Sequence, residues 1–315
     1  MKLVLSSIAL GAALACVCHL ASAQTITVTQ QGSGNTSYAE QAGVPPSDFS
    51  STTATITQIG ANNHAGGPGA PSTGIFQTDT HGDTSALIYQ NGARNNASIT
   101  QDGTSGINAT VEARITQQGN GNSAAITQHI VTASPAIVTQ NGAGNVAYVD
   151  QAYSADTSLR TSQNGTRNTV TVSQSGGVYR GPDVTQNGDG NFASVIANNM
   201  LAGGPTIVQT GTANLASTVQ NDGFDSFILI QQQGLGNVAG ASQTGDNHSA
   251  TITQDGNFNV AGISQASAAG GYPGNTALIA QAGTGNFAVV GQYGQGYVAT
   301  VSQAGVGNYT NVYQH

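Results

Sequence analysis

Charge, sulphur and large aromatics are scarce in this chain, and each scarcity excludes something. Only 6% of its 315 residues are charged, there is no tryptophan, and there are two cysteines, Cys16 and Cys18. Both cysteines fall in residues 1–23, which read as a secretory signal: Lys2 gives the positive start, Leu3 to Leu20 the apolar run, and Ala21-Ser22-Ala23 the small-residue cleavage site. A lipoprotein reading centred on Cys16 meets only part of its box, because Ala13 stands where leucine is usual. Cleavage after Ala23 leaves a chain starting at Gln24 with no disulfide, no thiol and no thiolate metal site. It also removes the one lysine, so that Arg94, Arg114, Arg160, Arg167 and Arg180 stand against fourteen acids, a net charge of −9. Such a chain has no basic cluster for nucleic acid or an anionic membrane, and no other apolar run reaches the length of a membrane span.

What is abundant is Gly, 43 residues of it, with Asn, Gln, Ser, Thr and Ala. Glycine does not fall at every third position, which excludes collagen. A longer period is present instead, best displayed by Gln254-Asp255-Gly256-Asn257-Phe258-Asn259-Val260-Ala261-Gly262-Ile263-Ser264-Gln265. Twelve copies of this skeleton begin at Gln30, Gln58, Gln90, Gln117, Gln140, Gln163, Gln186, Gln209, Gln232, Gln254, Gln281 and Gln303. Glycine follows two residues after each, at Gly32, Gly60, Gly92, Gly119, Gly142, Gly165, Gly188, Gly211, Gly234, Gly256, Gly283 and Gly305. Asparagine follows five after, at Asn35, Asn63, Asn95, Asn122, Asn145, Asn168, Asn191, Asn214, Asn237, Asn259, Asn286 and Asn308. Two residues before the leading Gln stands Val or Ile in eleven copies, Thr161 being the exception; a closing Gln stands eleven after in ten, Gly69 and Ala197 being the departures. Disordered low-complexity chain does not hold such phase.

Inward positions alternate at period two on either side of the Gly-x-x-Asn group, so each copy reads as strand, turn, strand. Glycine and asparagine tolerate the positive φ of the reversal. A second turn connects one copy to the next, and the insertions Gly43 to Thr53, Gly66 to Thr73 and Ala266 to Asn275 are expected there. A step of 22 to 23 residues in most copies predicts an all-β fold, a β-solenoid of about twelve rungs forming two facing parallel sheets. Such a coil is about 58 Å long with sheets about 10 Å apart. Buried amides left unpaired cost about 1 to 3 kcal/mol each; stacked on identical residues they bond as ladders along the coil. The Gln, Gly and Asn positions above are therefore the expected structural ladder. One rung buries too little to offset its ordering entropy, so the rungs fold collectively.

Soluble solenoids cover their end rungs, and none of the sequence here reads as a cap. From Gly256 to His315 there is no Asp, Glu, Lys or Arg, so gatekeeping charge is missing where self-association is easiest. Head-to-tail polymerisation is expected, with the last three rungs as the nucleating end.

The pattern Gln-x-Gly-x-x-Asn-x-Ala-x-x-x-Gln behind a secretory signal resembles the curlin repeat of curli fibre subunits, functional amyloids of bacterial biofilms. The resemblance implies a secreted subunit that crosses the outer membrane unfolded through a dedicated pore, meets a nucleator subunit, and polymerises at the cell surface into adhesive fibres. Twelve copies exceed the usual number of about five, and no separate targeting segment stands between Ala23 and the first strand. Repeats alone do not distinguish the major subunit from the minor nucleator, although length and regularity favour the major one.

Two other classes fit the sequence less well. An ice-binding solenoid would use outward pairs such as Thr27/Thr29, Thr55/Thr57 and Thr251/Thr253, but Leu87/Tyr89, Arg114/Thr116, Asp183/Thr185 and Leu229/Gln231 interrupt the array. A β-helix carbohydrate enzyme would need paired acids; those present, such as Asp102, Asp189, Asp222 and Asp255, are scattered over turns. His64, His81, His129, His248 and His315 read as isolated solvated side chains, His248 at the Asn-equivalent place of a second turn. No calcium nonapeptide, HExxH or Walker sequence occurs, so no catalytic residue, metal site or cofactor is expected.

Overall fold

The structure, a computed structural model, describes residues 2–6, 23–43, 51–66, 74–267 and 273–315. The chain forms two compact units, Met1–Ser162 and Gln163–His315, and each is a β-solenoid of two parallel sheets.

In the first unit, leading strands β2 (Ala23–Ser33), β4 (Ser51–Ala61), β7 (His81–Ala93), β9 (Ser105–Asn120) and β11 (Ala136–Ala143) stack in parallel. Closing strands β3 (Thr36–Ala42), β5 (His64–Ala65) with β6 (Gly74–Thr78), β8 (Asn96–Asp102), β10 (Ser123–His129) and β12 (Val146–Ala155) form the other sheet. Strand β1 (Lys2–Ser6) runs antiparallel along β3, while residues 7–22 of the expected signal lie outside the described residues. Strand β13 (Leu159–Thr166) carries the division between the units.

In the second unit the closing strands are β14 (Thr169–Val178), β16 (Phe192–Leu201), β18 (Leu215–Asn221), β20 (Val238–Thr244), β22 (Val260–Ala266), β24 (Phe287–Tyr293) and β26 (Tyr309–Gln314). Between them run leading strands β15 (Asp183–Asp189), β17 (Thr206–Thr212), β19 (Phe227–Leu235), β21 (Ser249–Asn257), β23 (Thr276–Thr284) and β25 (Val298–Val306).

Register follows the sequence period: Gln30 lies opposite Gln58, and Gln254 opposite Gln281 with Gly256 opposite Gly283. A parallel stack with identical residues in each column is the register in which every inward position stays inward; a slip of one residue would turn the whole set out. In β21 the buried residues are Ala250, Ile252 and Gln254, with Thr251 and Thr253 facing out between them. The column before the leading Gln is dry: Val28, Ile56, Ile88, Ile115 and Val138 in the first unit and Val184, Ile207, Ile230, Ile252, Ile279 and Val301 in the second are at most 6% exposed. Full burial of such side chains contributes about 1.5 to 3 kcal/mol each.

One insertion sits elsewhere than expected. Residues 66–73 do not extend a second turn; they interrupt the closing strand itself, with β5 before the gap and β6 after it, both paired to β3 and β8. The alternation simply resumes on the far side. Ala65 fills one inward place and Ile75 and Gln77 the next two, all fully buried, so the burial of these groups outweighs continuity in sequence. Gly74 makes the re-entry possible, with φ +124° and a position where a Cβ would stand 2.4 Å from the Tyr38 carbonyl oxygen. A further irregularity lies between β7 and β9, where Gly82 faces Gly106 but Thr84 faces Val111, a bulge in β9. Parts of the other two insertions, residues 44–50 and 268–272, fall outside the described residues.

Thr161 takes the aliphatic place in β13 and is fully buried, with no partner for its hydroxyl among the described residues. An unmade buried hydrogen bond costs about 1 to 3 kcal/mol, and valine has the same shape. Thr161→Val is expected to raise the free energy of unfolding by about 1 kcal/mol, seen as a higher denaturant midpoint at unchanged slope. A lower midpoint would show that the hydroxyl is bonded.

Candidate functional site

The buried polar side chains of this protein form columns, and the columns are its candidate site. Each leading Gln projects into the slot between the sheets. In the first unit Gln30 Nε2 donates to Gln58 Oε1 at 2.7 Å, Gln58 to Gln90 at 2.8 Å, Gln90 to Gln117 at 2.9 Å and Gln117 to Gln140 at 2.8 Å. In the second, Gln163, Gln186, Gln209, Gln232, Gln254, Gln281 and Gln303 follow one another at 2.8 to 2.9 Å. The second amide proton crosses the slot to a backbone carbonyl of the opposite sheet, as Gln117 to Asn96 and Gln254 to Val238. Both protons and the oxygen of an interior amide are thereby used, which removes the penalty of burying it.

The closing Gln column works in the same way. Gln41, Gln77, Gln101, Gln128 and Gln151 are joined at 2.8 to 2.9 Å in the first unit, and Gln243, Gln265, Gln292 and Gln314 in the second. Gln77 was missed from the sequence because the eight-residue interruption moves it out of phase; Gly69, the residue at the expected offset, lies outside the described residues. The signal that finds it is local: Ile75-Phe76-Gln77 repeats the Ile99-Thr100-Gln101 pattern directly above it. Ala197 does break the column. Beside it Gln220 turns its Nε2 to Ser226 O at 2.5 Å, and the Oε1 atoms of Gln220 and Gln243 are buried without partners among the described residues.

Asparagine does more than stack. Asn259 Nδ2 donates to Asn237 Oδ1 at 3.1 Å and to the Gly283 carbonyl of the next rung at 3.0 Å, and its backbone N–H also donates to Asn237 Oδ1 at 3.0 Å. The side-chain amide thus pairs with backbone, as another strand would, and fastens each turn to the next. It does so in an ordinary conformation. The positive φ values fall two and four residues after the leading Gln, at Gly256 (+117°) and Phe258 (+56°) in this rung, so within the Gly-x-x-Asn group the reversal uses the glycine and the residue before the asparagine. The glycine is required twice over: besides its φ, a Cβ at Gly256 would stand 2.1 Å from the Gly283 carbonyl oxygen, the same oxygen that accepts from Asn259.

The second turn holds a further column, invisible in the periodic skeleton because its residue type changes. The N–H of His248 donates to Ser226 Oγ, that of Asn275 to His248 Nδ1, and that of Tyr297 to Asn275 Oδ1, each at 3.0 Å. His248 is fully buried, which corrects the reading of it as a solvated side chain: its ring stands in for an asparagine amide. Since Nδ1 accepts, the proton lies on Nε2, which faces Thr244 O at 3.1 Å and Ser267 Oγ at 3.0 Å.

The curlin associated repeat family matches residues 223–256 and 273–305. These segments are similar to curlin associated repeats. They contain the rungs led by Gln232 and Gln281 and the first residues, Gln254 to Gly256 and Gln303 to Gly305, of the rungs that follow; the leading glutamines elsewhere in both units form amide columns like those of these segments. No curated protein matches the chain. Among the described residues no group of three or more His, Cys, Asp or Glu gathers as a metal site, and no helix is long and apolar enough to cross a membrane. Ion pairs are local and exposed, such as Arg167 to Asp189 at 2.6 Å.

Burial holds the His248 pKa below the ordinary histidine value, against smaller opposing effects of the Thr244 carbonyl and the Asp246 carboxylate. The folded state therefore disfavours the charged ring. The stability this contributes is fully present above the unfolded pKa of about 6.5 and is lost as pH falls from there through the lowered folded value. Amide exchange at Asn275 and Thr276 is expected to accelerate over that interval. His248→Asn, which keeps an acceptor in the column, is expected to abolish the pH step; an unchanged step in that variant would assign it to another group.

Proposed function

We propose that the chain is a secreted structural subunit that assembles head-to-tail into curli-like amyloid fibres at the bacterial cell surface, serving biofilm matrix and adhesion. Residues 1–23 act as the signal, and an outer-membrane pore and a nucleator subunit are its expected partners. The chemistry of the chain supports a structural role: its buried polar groups bond to copies of themselves rather than converge on a substrate.

The observation that carries the reading is the complementarity of two strand edges. Among the described residues β25 pairs only with β23 and β26 only with β24, while β2 pairs only with β4. At the C-terminal edge Gln303 Nε2 turns to Thr310 Oγ1 at 3.0 Å, whereas interior leading glutamines donate to the next rung. Asn308 Nδ2 reaches Asn286 Oδ1 and Ala304 O, and among the described residues no glycine carbonyl stands where Gly305 O stands for Asn286. At the other edge the described residues place no donor on Gln30 Oε1, and Gln30 Nε2 already serves Gln58 and Ser37. Stacking β2 of a second copy on β25 and β3 on β26 continues the columns in register, Gln303 to Gln30 and Asn308 to the Gly32 carbonyl. Strand β1 lies along β3, so removal of the signal would clear that edge.

Gly305 provides the test. A Cβ there meets nothing closer than Asn308 Nδ2 at 3.8 Å, whereas at Gly283 it would stand 2.0 Å from the next carbonyl oxygen. Gly305→Ala therefore costs the monomer only its φ strain, about 1 to 3 kcal/mol, yet obstructs an incoming Gly32. Wild-type protein without its signal is expected to form fibres with the cross-β spacing near 4.7 Å, and Gly305→Ala to remain a folded monomer at the same concentration. A wild type that stays monomeric, or a variant that elongates equally fast, rejects the proposal.

A further inference from the structure

The closing sheet of the second unit has an outer face unlike any other in the described chain. In six of its seven strands the residue directly after the column asparagine is apolar and projects outward, Phe192, Leu215, Val238, Val260, Phe287 and Tyr309, aligned strand to strand beyond Thr169 of β14. Phe192, Leu215 and Val238 are 38 to 41% exposed and Tyr309 71%. The same column in the first unit is mostly polar, with Thr36, His64, Asn96 and Ser123 before Val146. Strands β16, β18, β20, β22, β24 and β26 contain no Asp, Glu, Lys or Arg, whereas β15 and β21 on the opposite sheet carry Asp183, Asp189 and Asp255.

Beside this apolar ridge runs a shallow groove of about 310 Å³ floored by Ser217, Gly240, Ser242, Gly262 and Ser264, with Val289 at its end. Its glycines are not required by the backbone. Neither Gly240 nor Gly262 has a positive φ; a Cβ at Gly240 would meet nothing within 4 Å, and one at Gly262 only Val289 Cγ2 at 3.7 Å. Glycine within a strand weakens it and marks places where another surface comes close. The fold gains nothing from these two, so their effect is on what approaches from outside.

We infer that this face packs against the same face of a second copy of the chain, pairing fibres side by side. The inference rests on the fibre reading above. Three features select a second copy as the occupant. The full chain carries a net charge of −8, so copies repel one another except through a charge-free window. The face is self-complementary, because a two-fold axis along the rung stack sets the Val238 and Val260 ridge of each copy over the Ser242 and Ser264 column of the other. The glycine column between them faces itself and lets the sheets close. Finally, six strands and three outward residues span about 24 Å by 14 Å, far below the roughly 800 Å² per partner of a stable interface. Single chains therefore do not pair through it, whereas stacked copies present the patch repeatedly and do.

The test compares fibres of the wild type, Gly240→Lys, and Thr253→Lys as a control on the outer face of β21, by electron microscopy and light scattering at equal polymer mass. Wild-type and Thr253→Lys fibres are expected to bundle, and Gly240→Lys to give single fibres, with at least a several-fold drop in the paired fraction and unchanged cross-β spacing. Single fibres in the wild type, equal bundling in Gly240→Lys, or equal dispersal by Thr253→Lys would overturn the inference while leaving the fibre reading intact. Unbundled wild-type fibres that instead coat neutral phosphatidylcholine vesicles, with coating lost in Gly240→Lys, would replace the second copy with a lipid surface. Absence of fibres from every chain would overturn the fibre reading and this inference together.

Discussion

A primary amide buried between two sheets has two protons and an oxygen to satisfy, and in this protein nearly every such group finds its partner one rung away. The identical side chain at the spacing of a parallel sheet supplies an acceptor for one proton and a donor for the oxygen, and the opposite sheet supplies a carbonyl for the other proton. Most of the architecture follows from that requirement. The sheets must be parallel and in register, because any slip would place amides against aliphatics. The slot must be narrow, because a glutamine has to reach across it, as Gln254 reaches the carbonyl of Val238. Alanine and small β-branched residues fill what space is left. The core is thus specified by polar groups whose unmet bonds are costly, with the aliphatic columns supplying the dry contact.

The bonds also have direction. Leading glutamines donate toward the following rung, whereas each asparagine uses its oxygen to accept from the following rung and its amide to fasten that rung's glycine carbonyl. Every rung therefore shows one chemistry to its predecessor and another to its successor. A terminal rung repeats the half of the pattern that has no partner inside the chain. Helical caps or charged edges can disguise such an edge, but β25 and β26 contain no charged residue. The edge of β25 and β26 is then chemically like an interior interface, and the association proposed through it forms no new kind of contact.

Much of this was legible in the sequence because the constraint is periodic. An inward position recurs every rung with the same residue, so the leading Gln, the glycine and the asparagine could be aligned without a structure, and strand boundaries followed from alternation. What was not legible is where chemistry is conserved but residue type or spacing is not. Gln77 occupies its column after an interruption that sequence offsets read as a turn. His248 serves where Ser226 and Asn275 serve on either side, because a backbone N–H needs only an acceptor, and hydroxyl oxygen, imidazole nitrogen and amide oxygen all qualify. The left-handed residue before the asparagine is Gly285 in one rung and Phe258 in another, so its identity does not report its conformation.

Glycine is the residue on which the two readings of this surface divide. At Gly256 the backbone dictates it, through a positive φ and a carbonyl too close to admit a Cβ; no inference about partners follows from its presence. At Gly240 neither condition holds, and any β-branched residue would strengthen the strand. A repeat that demands glycine wherever rungs meet and carries it also where nothing inside the chain approaches has two kinds of contact to make. The first joins rungs along the stack through amides. The second, inferred for the sheet face that carries no charge among the described residues, has the ridge and groove of a surface that meets itself.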